Sequence, residues 1–194
     1  MYLLLIIPFL LQTVQTSSFG KKLSDAAIAL THQHVTYDAA YRVIPYPGGD
    51  VPSDRGVCSD VVIRAYRRLG VDLQRLVHED MKRNFNVYPR LWGLSQPDPN
   101  IDHRRVPNLM TYFARHSTVK PISKDASDYV PGDIVCWRLT GNLTHIGIVV
   151  EPKSPDGRRH LIVHNIGAGQ VMEDVLFAYT IIGHYRYERT GGVP

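Results

Sequence analysis

Two hydrophobic periods divide this chain into a helical part and a strand-rich part. Up to residue 113, apolar residues recur three and four positions apart, which predicts amphipathic helices. These helices cover residues 23–34, 57–69, 72–85 and 106–113. After residue 130, short apolar runs bounded by turn residues predict strands within residues 130–139, 145–150, 160–164, 171–177 and 180–187. Helices followed by consecutive strands indicate an α+β domain in which N-terminal helices pack on an antiparallel β-sheet.

The second predicted helix carries a cysteine in its first turn. Asp54 is a candidate N-cap residue, and Gly70 stands where a left-handed C-terminal cap belongs. The positive end of a helix dipole favours a thiolate over a thiol, and the thiolate is the nucleophile. The position of Cys58 therefore predicts a reactive cysteine, with burial as a small apolar side chain as the alternative.

A nucleophilic thiol needs a base, and two histidines in the predicted strands suit that role. In the register set by a hairpin around residues 154–157, His145 lies diagonally across from His164 on one face. Asn165 points to the other face in the same register. We predict that His145 deprotonates Cys58 and that His164 accepts from the other ring nitrogen of His145. A shift by one residue, or a bulge, would separate the two histidines.

Other uses of these side chains stay open at this point. The two histidines could join His160, His184 or Cys58 as zinc ligands. The short-spaced signatures of zinc sites are absent, so we expect neither a metal nor another cofactor. Cys58 could also pair with Cys136 in a disulfide, because an even count of cysteines suggests one in an oxidising compartment. However, Cys136 lies in an apolar strand-like run, where a buried free thiol is ordinary.

An apolar run at the N-terminus predicts export. Residues 2–11 are too short to span a bilayer but fit the core of a signal peptide. Small residues follow, which predicts a signal peptide over residues 1–20 with cleavage after Gly20. An uncleaved anchor is the alternative, because no Lys or Arg precedes the run. We expect residues 21–194 to form one monomeric domain, periplasmic or secreted, without a membrane span.

The charge pattern argues against a nucleic-acid partner. The formal net charge is +4, from 22 Lys and Arg residues and 18 Asp and Glu residues. The basic residues are dispersed, and no basic stripe is interleaved with aromatic residues. A mild positive charge is compatible with an anionic wall or membrane surface.

Two irregular segments are expected to border the reactive cysteine. Residues 37–52 are rich in Pro and Gly and lead directly into the cysteine helix. Their tyrosines Tyr37, Tyr41 and Tyr46 could each place a hydroxyl beside the thiol, and Tyr46 is our candidate oxyanion donor. Residues 86–103 form a long segment whose Trp, Tyr and Leu argue against disorder, which predicts a wall or lid over a groove.

Several of these segments resemble the motifs of NlpC/p60-type papain-like cysteine peptidases. The matching motifs are Gly56-Val-Cys-Ser-Asp, Pro131-Gly-Asp-Ile-Val, Thr144-His-Ile-Gly-Ile-Val and Ile162-Val-His. In those enzymes a cysteine at a helix start, a histidine that begins a strand and a polar residue on the next strand form the catalytic triad. The resemblance therefore implies a papain-like fold and a triad of Cys58, His145 and His164.

Longer motifs resemble the bacterial family called domain of unknown function 1287 (DUF1287). They are Tyr46-Pro-Gly-Gly-Asp-Val-Pro, Leu76-Val-His-Glu-Asp-Met, Ile101-Asp-His-Arg-Arg-Val-Pro-Asn-Leu and Val163-His-Asn-Ile-Gly-Ala-Gly. This resemblance covers nearly the whole chain beyond Ala40. It implies an envelope protein with a papain-like fold and no established substrate.

The chain departs from the NlpC pattern beside the nucleophile. Val57 precedes Cys58 where Asp is usual, and Asp60 follows where Gly is usual, which implies altered oxyanion surroundings. Asp60 and Asn165 are further support candidates. The additional segment over residues 72–108 is expected to shape specificity. Its candidate residues for substrate binding are Trp92, His103, Arg104 and Arg105, of which the three basic residues could bind substrate carboxylates. Salt bridges that anchor the long loop are the alternative role for these residues.

Together these features predict a secreted cysteine hydrolase that cleaves an amide bond in a cell-wall (peptidoglycan) peptide or a related envelope substrate. Attack by the thiolate would give a thioester, and the histidine would act first as base and then as acid. Two alternatives remain. One is a non-catalytic module that binds an envelope peptide or glycan, and the other is an amide or acyl transferase that uses the same triad.

Overall fold

In the computed structural model, which describes residues 18–187, helices cover one face of an antiparallel sheet, as the sequence predicts. The helices are α1 (Phe19–Leu30), α2 (Cys58–Arg68), α3 (Leu73–Asn84) and α4 (Val106–His116). The strands are β1 (Thr36–Tyr37), β2 (Arg55–Gly56), β3 (Thr118–Val119), β4 (Ile134–Arg138), β5 (Thr144–Lys153), β6 (His160–His164), β7 (Val171–Glu173) and β8 (Thr180–Arg186).

The main sheet has the strand order β3-β8-β4-β5-β6-β7, and every neighbouring pair is antiparallel. The β5–β6 hairpin pairs Ile148 with Val163 and Val149 with Ile162, which is the predicted register. A bulge before Lys153 lies at the turn end of the hairpin and leaves the histidine end unaffected. Outside the main sheet, β1 and β2 form a short parallel pair that leads into α2.

Alternating strand residues build two cores on opposite faces of the main sheet. On the helix face, Ile146 and Ile148 pack with apolar residues of α1, α2 and α4. On the opposite face, Trp137, Val149 and Ile162 pack beneath irregular segments of the chain. Each fully buried side chain of this size contributes roughly 1.5–3 kcal/mol. The alternation thus fixes which side chains of β5 and β6 face the helices and which face away.

The ends of α2 test two predictions about helix capping. Gly70 has a φ of +74°, so the left-handed C-terminal cap is confirmed. The N-cap is Val57 and not Asp54, because Arg55 and Gly56 pair with β1 as a strand and delay the helix. The carboxylate of Asp60 accepts from the Val57 N–H at 2.7 Å, so the cap comes from inside the helix.

The first helix begins earlier than the sequence pattern indicates. Ser18 is the N-cap of α1, and its hydroxyl accepts from the Lys21 N–H. Phe19 packs against the rings of Tyr66 and Tyr187, with centroids 5.8 and 5.3 Å away. The predicted signal-peptide core lies outside the described residues. Within residues 18–187, none of the helices has the length and apolarity needed to cross a bilayer.

Removal of the residues before Lys21 should destabilise the domain, because the predicted cleavage point falls inside the first turn of α1. We expect a chain that begins at Lys21 to be about 2–4 kcal/mol less stable than one that begins at Ser18, from the lost cap and the lost ring packing. Thermal unfolding followed by circular dichroism measures this difference. A Phe19→Ala variant of the longer chain separates the ring from the cap, and equal midpoints for the two chains would contradict the expectation.

Candidate active site

The loop before α2 sets the position of Cys58. Tyr37 pairs with Gly56, so β1 holds the chain two residues before the cysteine. A Cβ at Gly56 would lie 3.1 Å from the Cβ of Asp60. This close approach explains why position 56 is a glycine. The hydrogen bond from the Val57 N–H to Asp60 then starts the helix, and Cys58 occupies its first position, as predicted.

A buried ion pair fixes the same helix start from the other side. Arg104 donates from Nε and Nη2 to the two carboxylate oxygens of Asp60, each over 2.9 Å. Both side chains are 3% exposed. Arg104 also reaches the carbonyl oxygens of Asp38 and Ala40, so it joins α2 to the loop that follows β1. This pair thus connects three segments around the cysteine.

The thiol of Cys58 is buried and surrounded by backbone N–H groups. The residue is 6% exposed, and the backbone N–H groups of Ile146, Ser59 and Cys58 itself point to the sulfur. Burial, together with the nearby charge of Asp60, raises the pKa of the Cys58 thiol to about 12. The expectation of a lowered pKa is therefore wrong for this structure, because desolvation outweighs the favourable field of the helix N-terminus.

The two histidines meet on one face of the sheet, as the hairpin register predicts. Nε2 of His145 lies 3.0 Å from Nδ1 of His164. Gly147 stands between them on β5, where a Cβ would lie 3.2 Å from the Cβ of His164. The missing side chain therefore leaves room for the diagonal contact. The ring of Trp137 lies beside His145, with centroids 5.8 Å apart.

A third strand adds a residue that the sequence analysis missed. Nε2 of His164 lies 3.0 Å from Oε2 of Glu173 on β7. Glu173 stands opposite Ile162, two residues from His164 along β6. The signal for Glu173 is the same diagonal relation that identified the histidine pair. This relation could not be predicted, because a Gly-rich loop separates β6 from β7 and the register between the two strands does not follow from the sequence.

His145 has the properties of a base in its resting state. Burial, together with the neighbouring His164, lowers the pKa of His145 to about 3, so its ring is neutral near pH 7. Within residues 18–187 no hydrogen bond joins Sγ of Cys58 to this ring; the sulfur is bound one residue along, at the N–H of Ile146. At rest the thiol of Cys58 is thus neutral and bound at the N–H of Ile146, and the imidazole of the preceding residue, His145, is neutral as well.

The tyrosine beside the thiol is Tyr37 and not Tyr46. Tyr46 packs edge-on against His78 of α3, with ring centroids 5.0 Å apart. Burial raises the pKa of Tyr37, and its closeness to Cys58 and Asp60 raises it further. Because Tyr37 pairs with Gly56, its backbone is fixed next to the cysteine loop. The oxyanion candidate therefore moves from Tyr46 to Tyr37.

Two of the four candidate residues for substrate binding are buried. His103 is 2% exposed, and burial lowers its pKa to about 3, so it offers no cation to a carboxylate. Arg104 is occupied by Asp60. Arg105 pairs with Asp102 at 3.1 Å and lies over the ring of Trp92, 4.0 Å from its centroid. The alternative role, anchoring of the long loop, therefore describes these residues better.

The remaining candidates have supporting positions. The side chain of Asn165 donates to the carbonyl oxygen of Gly56 over 3.2 Å, and so braces the loop before Cys58. Cys136 is a free, buried thiol on β4, and Cys58 is free as well. Across the described part of the chain, no group of three or more His, Cys, Asp or Glu side chains could hold a metal ion.

Alkylation of Cys58 should depend on pH in the way that a buried thiol requires. In a Cys136→Ser background, we expect the rate with iodoacetamide to keep rising above pH ~10 in the folded protein, because burial holds the thiol protonated. In denaturant the rate should level off above the unperturbed pKa of about 8.5. Alkylation quenched at successive times and quantified by mass spectrometry measures both pH–rate profiles. Full labelling of the folded protein at pH ~6 would instead indicate a thiolate–imidazolium pair at rest.

Comparison with known sequences assigns most of the chain to one family. The profile of the family described as "Domain of unknown function (DUF1287)" matches residues 24–187. A relative from Escherichia coli (strain K12), "Uncharacterized protein YijF", is 61% identical over 151 residues, which cover 78% of this chain and 73% of the relative. The match includes the whole candidate site, because the profile begins before β1 and ends after β8.

Comparison with solved structures shows the fold. NlpC1 from Trichomonas vaginalis is 18% identical with a TM-score of 0.50; the match covers 92% of this chain and 47% of that one, so this chain spans about half of its length. An N-acetylmuramoyl-L-alanine amidase from Bacteroides uniformis is 14% identical with a TM-score of 0.56, over 88% of this chain and 99% of that one. At these identities the likeness establishes an NlpC- and amidase-type α+β fold, as expected from the sequence motifs.

Proposed function

The chain belongs to the DUF1287 family, and from that premise we propose that it is a cysteine hydrolase that cleaves an amide bond in a peptidoglycan peptide or a related envelope substrate. The observation that carries the proposal is a hydrogen-bonded histidine pair whose first member, His145, directly precedes the residue that contacts the nucleophile. His145 and His164 are hydrogen-bonded at 3.0 Å, and the residue after His145 contacts the sulfur of Cys58 through its N–H. A thiol, a base and a group that orients the base are the parts that nucleophilic catalysis requires.

The reaction would begin with proton transfer from the thiol to His145. As the sulfur attacks the substrate carbonyl carbon, Nδ1 of His145 takes the thiol proton, and the carbonyl oxygen becomes an oxyanion. The N–H of Cys58 and the hydroxyl of Tyr37 would donate to that oxyanion. The tetrahedral intermediate then expels the amine, which takes the proton from His145, and leaves a thioester. Water, deprotonated by His145, hydrolyses the thioester and restores the thiol.

Neutral resting groups favour transfer of the proton during attack over a thiolate formed in advance. The raised pKa of Cys58 and the lowered pKa of His145 disfavour the separated charges before substrate arrives. Substrate binding would bring the carbonyl carbon to the sulfur and the oxyanion donors to the carbonyl oxygen. The charge would then develop where those donors can stabilise it.

The fold neighbours and the N-terminal run support this proposed substrate class. The Bacteroides uniformis neighbour is an N-acetylmuramoyl-L-alanine amidase, an enzyme whose name specifies an amide bond at N-acetylmuramoyl-L-alanine. The apolar run of residues 2–11 suits export, which would bring the domain to the periplasm or the cell exterior, where that substrate lies.

Digestion of purified peptidoglycan tests the proposal. The soluble products that the wild-type protein releases are separated by chromatography and identified by mass spectrometry. The digestion is run with and without a primary amine as acceptor. We expect new pairs of amino and carboxyl ends, with one water added for each cut. An adduct with the added amine would indicate the transferase alternative, and binding to the wall without any product would indicate a non-catalytic module.

A further inference from the structure

We propose that Glu173 is a positioning residue of this site, which fixes the tautomer of His164 and thereby leaves Nδ1 of His145 free to accept a proton. The proposal rests on the function proposed above. It extends the site from the predicted pair of histidines to a hydrogen-bonded line of three residues on three neighbouring strands. Because Glu173 contacts neither the nucleophile nor its base, it acts only through His164.

The geometry of the sheet supports this line. On β5 and β6, His145 and His164 are diagonal neighbours joined at 3.0 Å. On β6 and β7, Ile162 pairs with Glu173 and His164 pairs with Val171, so His164 and Glu173 are diagonal neighbours as well. Their side chains meet at 3.0 Å. The same diagonal step therefore repeats across both strand pairs on one face of the sheet.

The direction of the hydrogen bonds follows from the carboxylate. An ionised carboxylate only accepts, so Nε2 of His164 must carry a proton to donate to Glu173. In the neutral ring, Nδ1 of His164 then has no proton and accepts from Nε2 of His145. His145 is neutral too, so its Nδ1 is left with a free lone pair. This is the nitrogen that would take the thiol proton.

The same line would stabilise the product of proton transfer. When His145 becomes an imidazolium, it still donates from Nε2 to His164, and the negative charge of Glu173 lies at the far end. The side chain of His164 is 1% exposed, whereas that of Glu173 is 46% exposed. Glu173 therefore joins a buried pair of rings to solvent.

Other charged groups near the site define what a pH profile would report. His164 faces His145 on β5 and Glu173 on β7. Around the thiol lie four further titratable or charged groups: Tyr37, Asp60, Arg104 and Cys136. Asp60 and Arg104 are paired with each other, and Cys136 is a buried thiol. Within this set, Glu173 is the acid that contacts a ring of the histidine pair.

Nitrogen NMR of the two rings tests the proposal without any substrate. Long-range proton–nitrogen spectra at pH ~7 distinguish protonated from unprotonated ring nitrogens, and His145→Asn and His164→Asn variants assign the signals. In the wild type we expect a proton on Nε2 and none on Nδ1 in both rings. In Glu173→Ala we expect both rings to become mixtures of tautomers. Tautomers that stay unchanged in Glu173→Ala would overturn the proposal, whatever the activity of the protein.

A matched control removes a carboxylate of the same sheet from a residue that contacts neither ring of the His145–His164 pair. Glu151 on β5 is exposed, and Glu151→Gln should leave both tautomers and the rate unchanged. With peptidoglycan as substrate, Glu173→Ala should lower kcat roughly tenfold at unchanged KM, because the correct tautomer is less populated. Glu173→Gln should retain part of the rate through its carbonyl oxygen. If the wild type showed no turnover, only the proposed function would be contradicted. The NMR result tests the role of Glu173 independently of turnover.

Discussion

Cys58→Ala should fold normally and lose hydrolysis of peptidoglycan by at least about 10³-fold. Without the sulfur no thioester can form, and the histidine pair has no proton to accept. The change removes one atom from the first position of α2, and no side chain depends on that atom for a hydrogen bond among the residues described. Product release, followed by chromatography and mass spectrometry, measures the loss, and circular dichroism checks the fold.

The second cysteine provides a matched control for this experiment. Cys136 is as buried as Cys58 and lies in the same core, so Cys136→Ala makes a cavity of equal size. We expect Cys136→Ala to keep the wild-type rate and to lower stability by a similar amount. If Cys58→Ala retained hydrolysis, Cys58 would not be the nucleophile. If Cys136→Ala also lost it, the effect would come from the core and not from the chemistry.

Arg104→Ala should lower the free energy of unfolding by about 3–5 kcal/mol, because it leaves the carboxylate of Asp60 buried without a partner. The substitution also removes the link from α2 to the carbonyl oxygens of Asp38 and Ala40. Urea denaturation at constant pH measures the change. This experiment separates the two roles considered for Arg104, since a residue that binds substrate carboxylates would leave stability unchanged and raise KM.

A second arginine–aspartate pair in the same region serves as the control. Arg42 bonds Asp38 at 2.7 Å, but the two side chains are 37% and 15% exposed. Solvent screens such a pair, so Arg42→Ala should cost less than about 1 kcal/mol. Equal losses of unfolding free energy in Arg104→Ala and Arg42→Ala would mean that burial of the Arg104–Asp60 pair does not determine how much it stabilises the protein. A loss confined to Arg104→Ala would support its structural role.

The helix start at Cys58 and the pair of histidines could both be predicted because each depends on local rules. The apolar residues of α2 and the cap at Gly70 are close together in the sequence, so the pattern of a single helix is enough to predict them. The contact between His145 and His164 needs only a strand period of two and one hairpin register. Where the register depends on a loop whose length the pattern does not give, as for Glu173, the sequence analysis made no prediction.

Residue types alone misassigned several members of the site. His103 and Arg104 are basic residues in a long loop, a pattern that fits substrate binding, yet both are buried. Tyr46 was preferred over Tyr37, although the pairing of β1 with β2 fixes Tyr37 beside the cysteine. These errors share one cause. A linear sequence does not state which of several equivalent side chains is removed from water when distant segments pack together.

The sequence by itself determined the four α-helices, the strands after residue 130, the α+β order, the helix-start cysteine and the face shared by the two histidines. The tertiary structure decided the electrostatics. Asp60 and Arg104 are 44 residues apart, and only packing makes them a buried pair. Burial also raises the pKa of Cys58, against the field of its own helix. Periodicity and caps act over a few residues, whereas desolvation and ion pairing depend on the whole set of neighbours in space.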